Sequence, residues 1–189
     1  MPAPILLSPP RFSDDRGWFS ETYSARKAVA QGLDVTFVQD NQSLSRTVGT
    51  VRGLHFQAPP HAQGKLVRVL RGRIIDVAVD IRKGSPTYGQ WLSAELSAEN
   101  GKQLYIPVGY AHGFATLEAD TEVAYKVTDF YDKASEGGLK WNDPDLAVDW
   151  GIGGIEPSLS AKDEILPSFA NFDSPFAYDG IPMILVEAK

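Results

Sequence analysis

Residues 65–81, KLVRVLRGRIIDVAVDI, contain two runs in which every second residue is apolar, joined at Arg71-Gly72. A period of two is the pattern of a strand, whose successive side chains point to opposite faces, and glycine marks the turn between them. In the second run Ile75, Val77, Val79 and Ile81 share one face, with Asp76, Ala78 and Asp80 on the other. Further strand-like runs fall at 35–39, 49–56, 90–96, 102–106, 112–117 and 122–131, with Gly, Pro and Asn between them. Short, evenly spaced strands predict an antiparallel sandwich or barrel. Helix is scarce. SARKAVAQG (24–32) reads as one short helix with Ser24 as cap and Gly32 as stop, and SAEN and SAKDEIL can open only brief turns.

The 189 residues fit one domain, and 43% hydrophobic residues suffice for a core. There is no cysteine. That excludes disulfides and thiolate metal sites and fits a cytoplasmic protein. The sequence shows neither a signal peptide nor an apolar run able to span a bilayer, so no membrane is expected. A net charge of −6 argues against a nucleic-acid partner. The charge is uneven, however: residues 46–73 hold six cations and no carboxylate. Such a segment suits a small anion, or is a solvated basic face, as for Arg71 and Arg73.

Several polar residues fall where alternation predicts a wall. Lys65 shares a face with Val67 and Val69, and Tyr125 with Val123 and Val127. An inward lysine is an ion-pair member, a snorkelling side chain, or a cation placed for a ligand or a developing oxyanion. An inward tyrosine is core packing or a general acid. Strict alternation sets Arg52 and His55 on opposite faces, unless a bulge at Gly53 re-aims one of them. His112 begins a Gly-flanked strand. Asp163 reads first as the acidic member of a capping box opened by Ser160. Three histidines without ligand spacing argue against a metal site, and no phosphate loop or dinucleotide fingerprint is present.

The motifs DDRGWFSE (14–21), FVQDNQSLS (37–45), VRGLHFQ (51–57), QGKLVRVLRG (63–72), DVAVDIRKGSPTYGQW (76–91), IPVGYAHGF (106–114), AYKVTDFY (124–131), EGGLKWNDP (136–144) and LSAKD (159–163) occur in this order. As a set they resemble the dTDP-4-dehydrorhamnose 3,5-epimerase family, in the deoxysugar epimerase branch of the cupins. The resemblance covers roughly residues 10–165. It implies a mainly β, cupin-type jelly-roll barrel of antiparallel strands with few short helices, a homodimer, and neither metal nor cofactor. One epimerase domain is expected over 1–167, followed by a tail over 168–189 packed on the barrel or on a partner subunit.

The resemblance also implies roles. His55 matches the catalytic base, Asp163 its orienting partner, Tyr125 the acid on the opposite side, and Lys65 the cation near the enolate oxygen. Arg52, His112, Tyr131, Glu136 and Lys162 match substrate contacts, with Arg52 suited to diphosphate. Arg16, Phe19 and Glu21, with Gln39, Asp40 and Asn41, match residues that hold the nucleotide, the 16–21 segment reaching the neighbouring subunit. One departure is Phe130, where a second tyrosine beside Tyr131 is the family pattern. The expected substrate is a dTDP-linked 4-keto-6-deoxy sugar, inverted at C3 and C5. The alternatives are inversion at a single carbon, or a sugar-nucleotide-binding barrel without catalysis.

Overall fold

The computed structural model describes residues 3–188. In chain order the elements are β1 (Ile5–Leu7), β2 (Phe12–Asp14), β3 (Gly17–Phe19), α1 (Ala25–Ala30), β4 (Gln39–Ser45), β5 (Val51–Gln57), β6 (Lys65–Arg71), β7 (Arg73–Asp80) and β8 (Arg82–Lys83). They continue with β9 (Trp91–Ser97), β10 (Gln103–Ile106), β11 (Tyr110–Thr116), β12 (Thr121–Val127), β13 (Glu136–Gly138), α2 (Ala161–Glu164), β14 (Phe176–Ala177) and β15 (Val186–Ala188). Among the described residues no helix is long and apolar enough to cross a membrane.

Two sheets form the barrel, one in the order β15-β1-β10-β6-β12-β4 and the other β13-β5-β11-β7-β9. Their pairings are antiparallel except β1 with β15. This is the jelly roll expected from the sequence. Between the sheets, Val67, Val69, Leu104, Ile106 and Val123 meet Ile74, Ala78, Leu96, Tyr110 and Phe114. The more apolar stripe of β7 points the other way. Val77, Val79 and Ile81 lie outside the barrel, under Leu139, Leu146, Trp150 and Phe176. A third cluster covers the back of the six-stranded sheet, where Ala28 and Leu33 pack on Ile5, Leu7, Leu66 and Tyr105. Burying such aliphatic side chains stabilises by roughly 1.5–3 kcal/mol each.

Several boundaries differ from the sequence reading. The run 35–39 is not a strand. Val35 and Phe37 pack into the third cluster from irregular backbone, and the strand begins at Gln39. It was hidden because QDNQSLS alternates polar residues between a polar cavity and solvent. The run 122–131 ends as a strand at Val127, and the next residues form a loop. The helix spans Ala25–Ala30. Ser24 is extended but makes no side-chain cap bond, while Gly32 adopts φ +86° just beyond the end. The β2–β3 hairpin had no clear periodic signal.

Of the expected tail over 168–189, Lys189 lies outside the described residues. Phe169, Phe172 and Phe176 pack against the outer cluster, and β15 joins β1. Arg82, 2% exposed, ties this segment to the barrel. It donates to Asp80 (2.8 and 2.9 Å), Asp179 (2.9 Å), the Ile181 carbonyl (2.8 Å) and the Tyr110 hydroxyl (2.7 Å).

One irregularity positions the polar wall. In the β5–β11 pairing, His55 faces His112 and Arg52 faces Phe114, so three steps on β5 span two on β11. The extra residue is a bulge, and it turns Arg52 and His55 to the same face. Gly53 occupies it with φ +133°, and a Cβ there would lie 2.5 Å from Gly113 Cα. We therefore expect Gly53→Ala to lower unfolding stability by roughly 2–4 kcal/mol in chemical denaturation, from backbone strain and a backbone clash. Gly154→Ala, with nothing within 4 Å, is the control and is expected to leave stability unchanged.

Candidate active site

A cavity of about 430 Å³ opens inside the barrel, lined by Ser43, Arg52, His55, Lys65, His112, Phe114, Tyr125, Lys162 and Asp163 among others. An adjoining lobe of about 300 Å³ shares His55, Lys65 and Tyr125, and adds Gln39, Asn41, Gln57, Gln63, Tyr131 and Glu136. His55 stands on the five-stranded sheet. Lys65 and Tyr125 stand on the six-stranded sheet opposite, on adjacent strands in which Lys65 pairs with Val127 and Tyr125 with Val67.

His55 Nε2 lies 2.5 Å from Asp163 Oδ1. Asp163 is also what its sequence motif suggested. Ser160 caps α2, its Oγ accepting from the Asp163 N–H (3.2 Å) and donating to Asp163 Oδ2 (2.9 Å). The cap thus aims the carboxylate, one oxygen for Ser160 and one for the imidazole. Burial raises the Asp163 carboxyl, but the His55 hydrogen bond and charge and the Ser160 bond outweigh it, holding it below the usual carboxylate range.

A second pair lies deeper. His112 Nε2 is 2.7 Å from Asp76 Oδ1, both side chains being buried. Burial pushes the His112 imidazole down in spite of Asp76, which favours the neutral ring at neutral pH. Asp76 Oδ2 is buried and has no hydrogen-bond partner among the described residues. Sequence reasoning placed Asp76 only on the polar face of a strand; an acid in an otherwise apolar run was its sole signal. Burial pulls Lys65 down to about 8, against the opposing pull of Asp76 and Glu136. Burial raises the Tyr125 phenol, with Arg52 opposing, so it stays protonated at neutral pH.

The rim carries the remaining polar groups. Arg52 donates to Ser45 Oγ and the Leu44 carbonyl, each at 3.1 Å. Lys162 pairs with Glu136, which also accepts from the Tyr131 hydroxyl (3.3 Å). Gln39 Nε2 donates to Asn41 Oδ1 (2.8 Å), and Gln39 Oε1 accepts from the Tyr131 N–H (3.1 Å). Four expected residues stand apart. Alternation along β4 turns Asp40 outward to Lys126 (2.9 Å). Arg16 pairs with Asp14 at 2.6 Å, Glu21 with Lys27 at 2.9 Å, and Phe19 is 67% exposed on the hairpin. None of these four lines either lobe in this chain. Ser43 and Gln57 line the cavity without having been singled out. Among the described residues no group of three or more His, Cys, Asp or Glu side chains is placed to hold a metal ion.

A family model described as dTDP-4-dehydrorhamnose 3,5-epimerase matches residues 1–171. The chain is similar to the dTDP-4-dehydrorhamnose 3,5-epimerase of Sinorhizobium fredii, 52% identical over 178 residues that cover 92% of this chain and 88% of that one. Among solved structures it is similar to dTDP-4-dehydrorhamnose 3,5-epimerase from Bacillus anthracis with TDP and PPi bound. That match is 49% identical, with TM-score 0.84, covering 87% of this chain and 93% of the other. It is also similar to dTDP-6-deoxy-D-glucose-3,5-epimerase from Legionella pneumophila in complex with dTDP-4-keto-L-rhamnose. There the identity is 44% and the TM-score 0.86, over 92% of each chain.

Lowering an ammonium from 10.5 to about 8 means that the charged form destabilises the folded state by about 3 kcal/mol at pH 7. Lys65→Met is therefore expected to raise stability by roughly 1–3 kcal/mol at pH 7. Between about 8 and 10.5 the unfolded lysine holds its proton and the folded one does not, so the wild type gains stability with pH. The advantage of the variant should shrink over that range. Denaturant titrations at pH 7 and pH 10 measure both, and equal differences at the two pH values would contradict the shift.

Proposed function

Because the chain belongs to the dTDP-4-dehydrorhamnose 3,5-epimerase family, we propose that its cavity inverts C3 and C5 of dTDP-4-dehydro-6-deoxy-D-glucose to give dTDP-4-dehydro-L-rhamnose, the precursor of dTDP-L-rhamnose. It is a carbohydrate epimerase, an isomerase. The observation that carries the mechanism is the placement of His55–Asp163 and of Tyr125 on facing sheets, with Lys65 beside Tyr125.

Protons at C3 and C5 are acidic because each lies α to the C4 carbonyl. Asp163 takes one ring N–H of His55, which leaves the other nitrogen to accept a proton from carbon. As that bond breaks, charge moves to the C4 oxygen, and the Lys65 ammonium stabilises the enolate where water is scarce. Tyr125, kept protonated by burial, returns a proton to the same carbon from the other wall. The carbon inverts. His55 is left protonated and Tyr125 deprotonated, and transfer of that proton back to Tyr125 resets the pair for the second carbon. The neutral His112, held by Asp76, donates or accepts a hydrogen bond to the sugar without adding charge. Arg52 serves the diphosphate, and Gln39, Asn41, Tyr131, Glu136 and Lys162 the nucleotide and sugar rim. The carbonyl supplies the acidity, so the mechanism uses no cofactor.

The same reading extends to a homodimer in the cytoplasm. The β2–β3 hairpin exposes Phe12, Trp18 and Phe19 at 58–67%, with Arg16 beside them and away from their own cavity. Such a hairpin suits the cavity of a second copy. A stable monomer by light scattering would count against it.

Proton NMR of the keto sugar nucleotide in D₂O tests the chemistry. The wild type should exchange both C3 and C5 protons, whereas exchange at one carbon would make it a single-site epimerase. His55→Ala should slow exchange by roughly 10²–10⁴ while dTDP still binds. Tyr125→Phe should keep solvent exchange while losing inversion. The pH profile follows from Lys65: kcat/KM should fall as pH rises through about 8, where the free enzyme loses the ammonium. A flat profile to pH 10 would remove Lys65 from the enolate step.

A further inference from the structure

Gln57 lies two residues beyond His55 on β5, and is 5% exposed. Its side-chain amide uses both donors and its acceptor. Nε2 donates to the His61 carbonyl (2.6 Å) and the Phe130 carbonyl (3.2 Å), and Oε1 accepts from the Asp132 N–H (2.9 Å). Phe130 C=O and Asp132 N–H belong to the two peptide groups on either side of Tyr131. The amide therefore grips the backbone of Tyr131 from both sides, as a neighbouring strand would. The same amide holds the His61 loop, which is also tied to this segment by Gln63 Nε2 to the Asp129 carbonyl (2.7 Å) and by His61 Nδ1 to Asp129 Oδ2 (3.3 Å). Tyr131 is otherwise 56% exposed, and among the described residues it has only Gln39 and Glu136 as hydrogen-bond partners, so little else fixes it.

We propose that Gln57 is a positioning residue that sets the distance between the aromatic rim at Tyr131 and the proton-abstracting His55. This rests on the reading of Tyr131 as part of the nucleotide rim. Both ends of the link start from one strand, with His55 and Gln57 on the same face. The rim can then hold the nucleotide only at the span that brings the sugar to His55. Correct placement over such a distance is what converts binding into rate.

The test uses dTDP, without sugar, as the calorimetric probe, together with steady-state kinetics on the full chain. Gln57→Glu keeps the acceptor for Asp132 N–H but sets oxygens against the two carbonyls. Gln57→Leu removes all three bonds. Each should weaken dTDP binding by roughly tenfold and also lower kcat by roughly tenfold, because the bound sugar no longer sits at the span that reaches His55, and an unchanged kcat would overturn the positioning role. Tyr131→Ala should weaken dTDP equally, and the Gln57→Leu, Tyr131→Ala double variant should be no weaker than Tyr131→Ala alone. Multiplying losses in the double variant, or wild-type dTDP binding by Gln57→Glu, would overturn the proposal. Tyr131→Ala binding dTDP normally would instead overturn the nucleotide-rim reading beneath it. Hydrogen exchange on the wild type covers the case of variants that do not fold: the Asp132 amide should be protected, and exchange at the free-peptide rate would refute the grip.

Discussion

Polar and ionisable groups inside the barrel have to be held against the cost of their burial, and the rest of the architecture answers to that constraint. Lys65, Asp76 and His112 lie where a jelly roll would otherwise seat aliphatic side chains. Such groups add little stability and, when imperfectly matched, subtract it. Much of the hydrophobic driving force therefore comes from layers outside the barrel, beside the core between its sheets. The apolar stripe of β7 faces the outer layer formed by Leu139, Leu146, Trp150 and Phe176, and a second outer layer forms under α1. The segment after β13 is thus a wall of the fold, fastened by the buried Arg82.

Within the cavity, economy of groups follows from the same constraint. Each acid has a defined partner, and Asp163 serves a helix cap and an imidazole at once. Lys65 is incompletely compensated: burial pulls it below its ordinary value even with Asp76 and Glu136 nearby. An ammonium in such a setting is stabilised by any negative charge brought beside it, and Asp76 Oδ2, which has no hydrogen-bond partner among the described residues, is buried in the same group.

The barrel was legible in the sequence wherever one strand face is apolar, as in KLVRVLRG and RIIDVAVDI. It was illegible where both faces are polar, as in β4, because alternation then carries no hydrophobic contrast. Gly53 was visible as a possible bulge, but only the β5–β11 register shows that it swings Arg52 and His55 to one wall. Lys65 and Tyr125 announced themselves as inward polar residues. The His55–Asp163 contact could not be read from local pattern, since the cap motif around Ser160 explains Asp163 by itself; the family resemblance pointed to it. Asp76 and Gln57 were passed over because their meaning lies in partners on other strands and loops.

The separation of 108 residues between His55 and Asp163 has a consequence for the growing chain. At ordinary rates of synthesis roughly 5–20 s pass between the appearance of the histidine and that of its carboxylate. Through that interval the imidazole lacks the carboxylate that meets it in the finished fold, while Leu139, Leu146 and Trp150 of the outer layer over β7 are made along the way. The contact therefore forms only after the late segment that carries Asp163 has docked against β5.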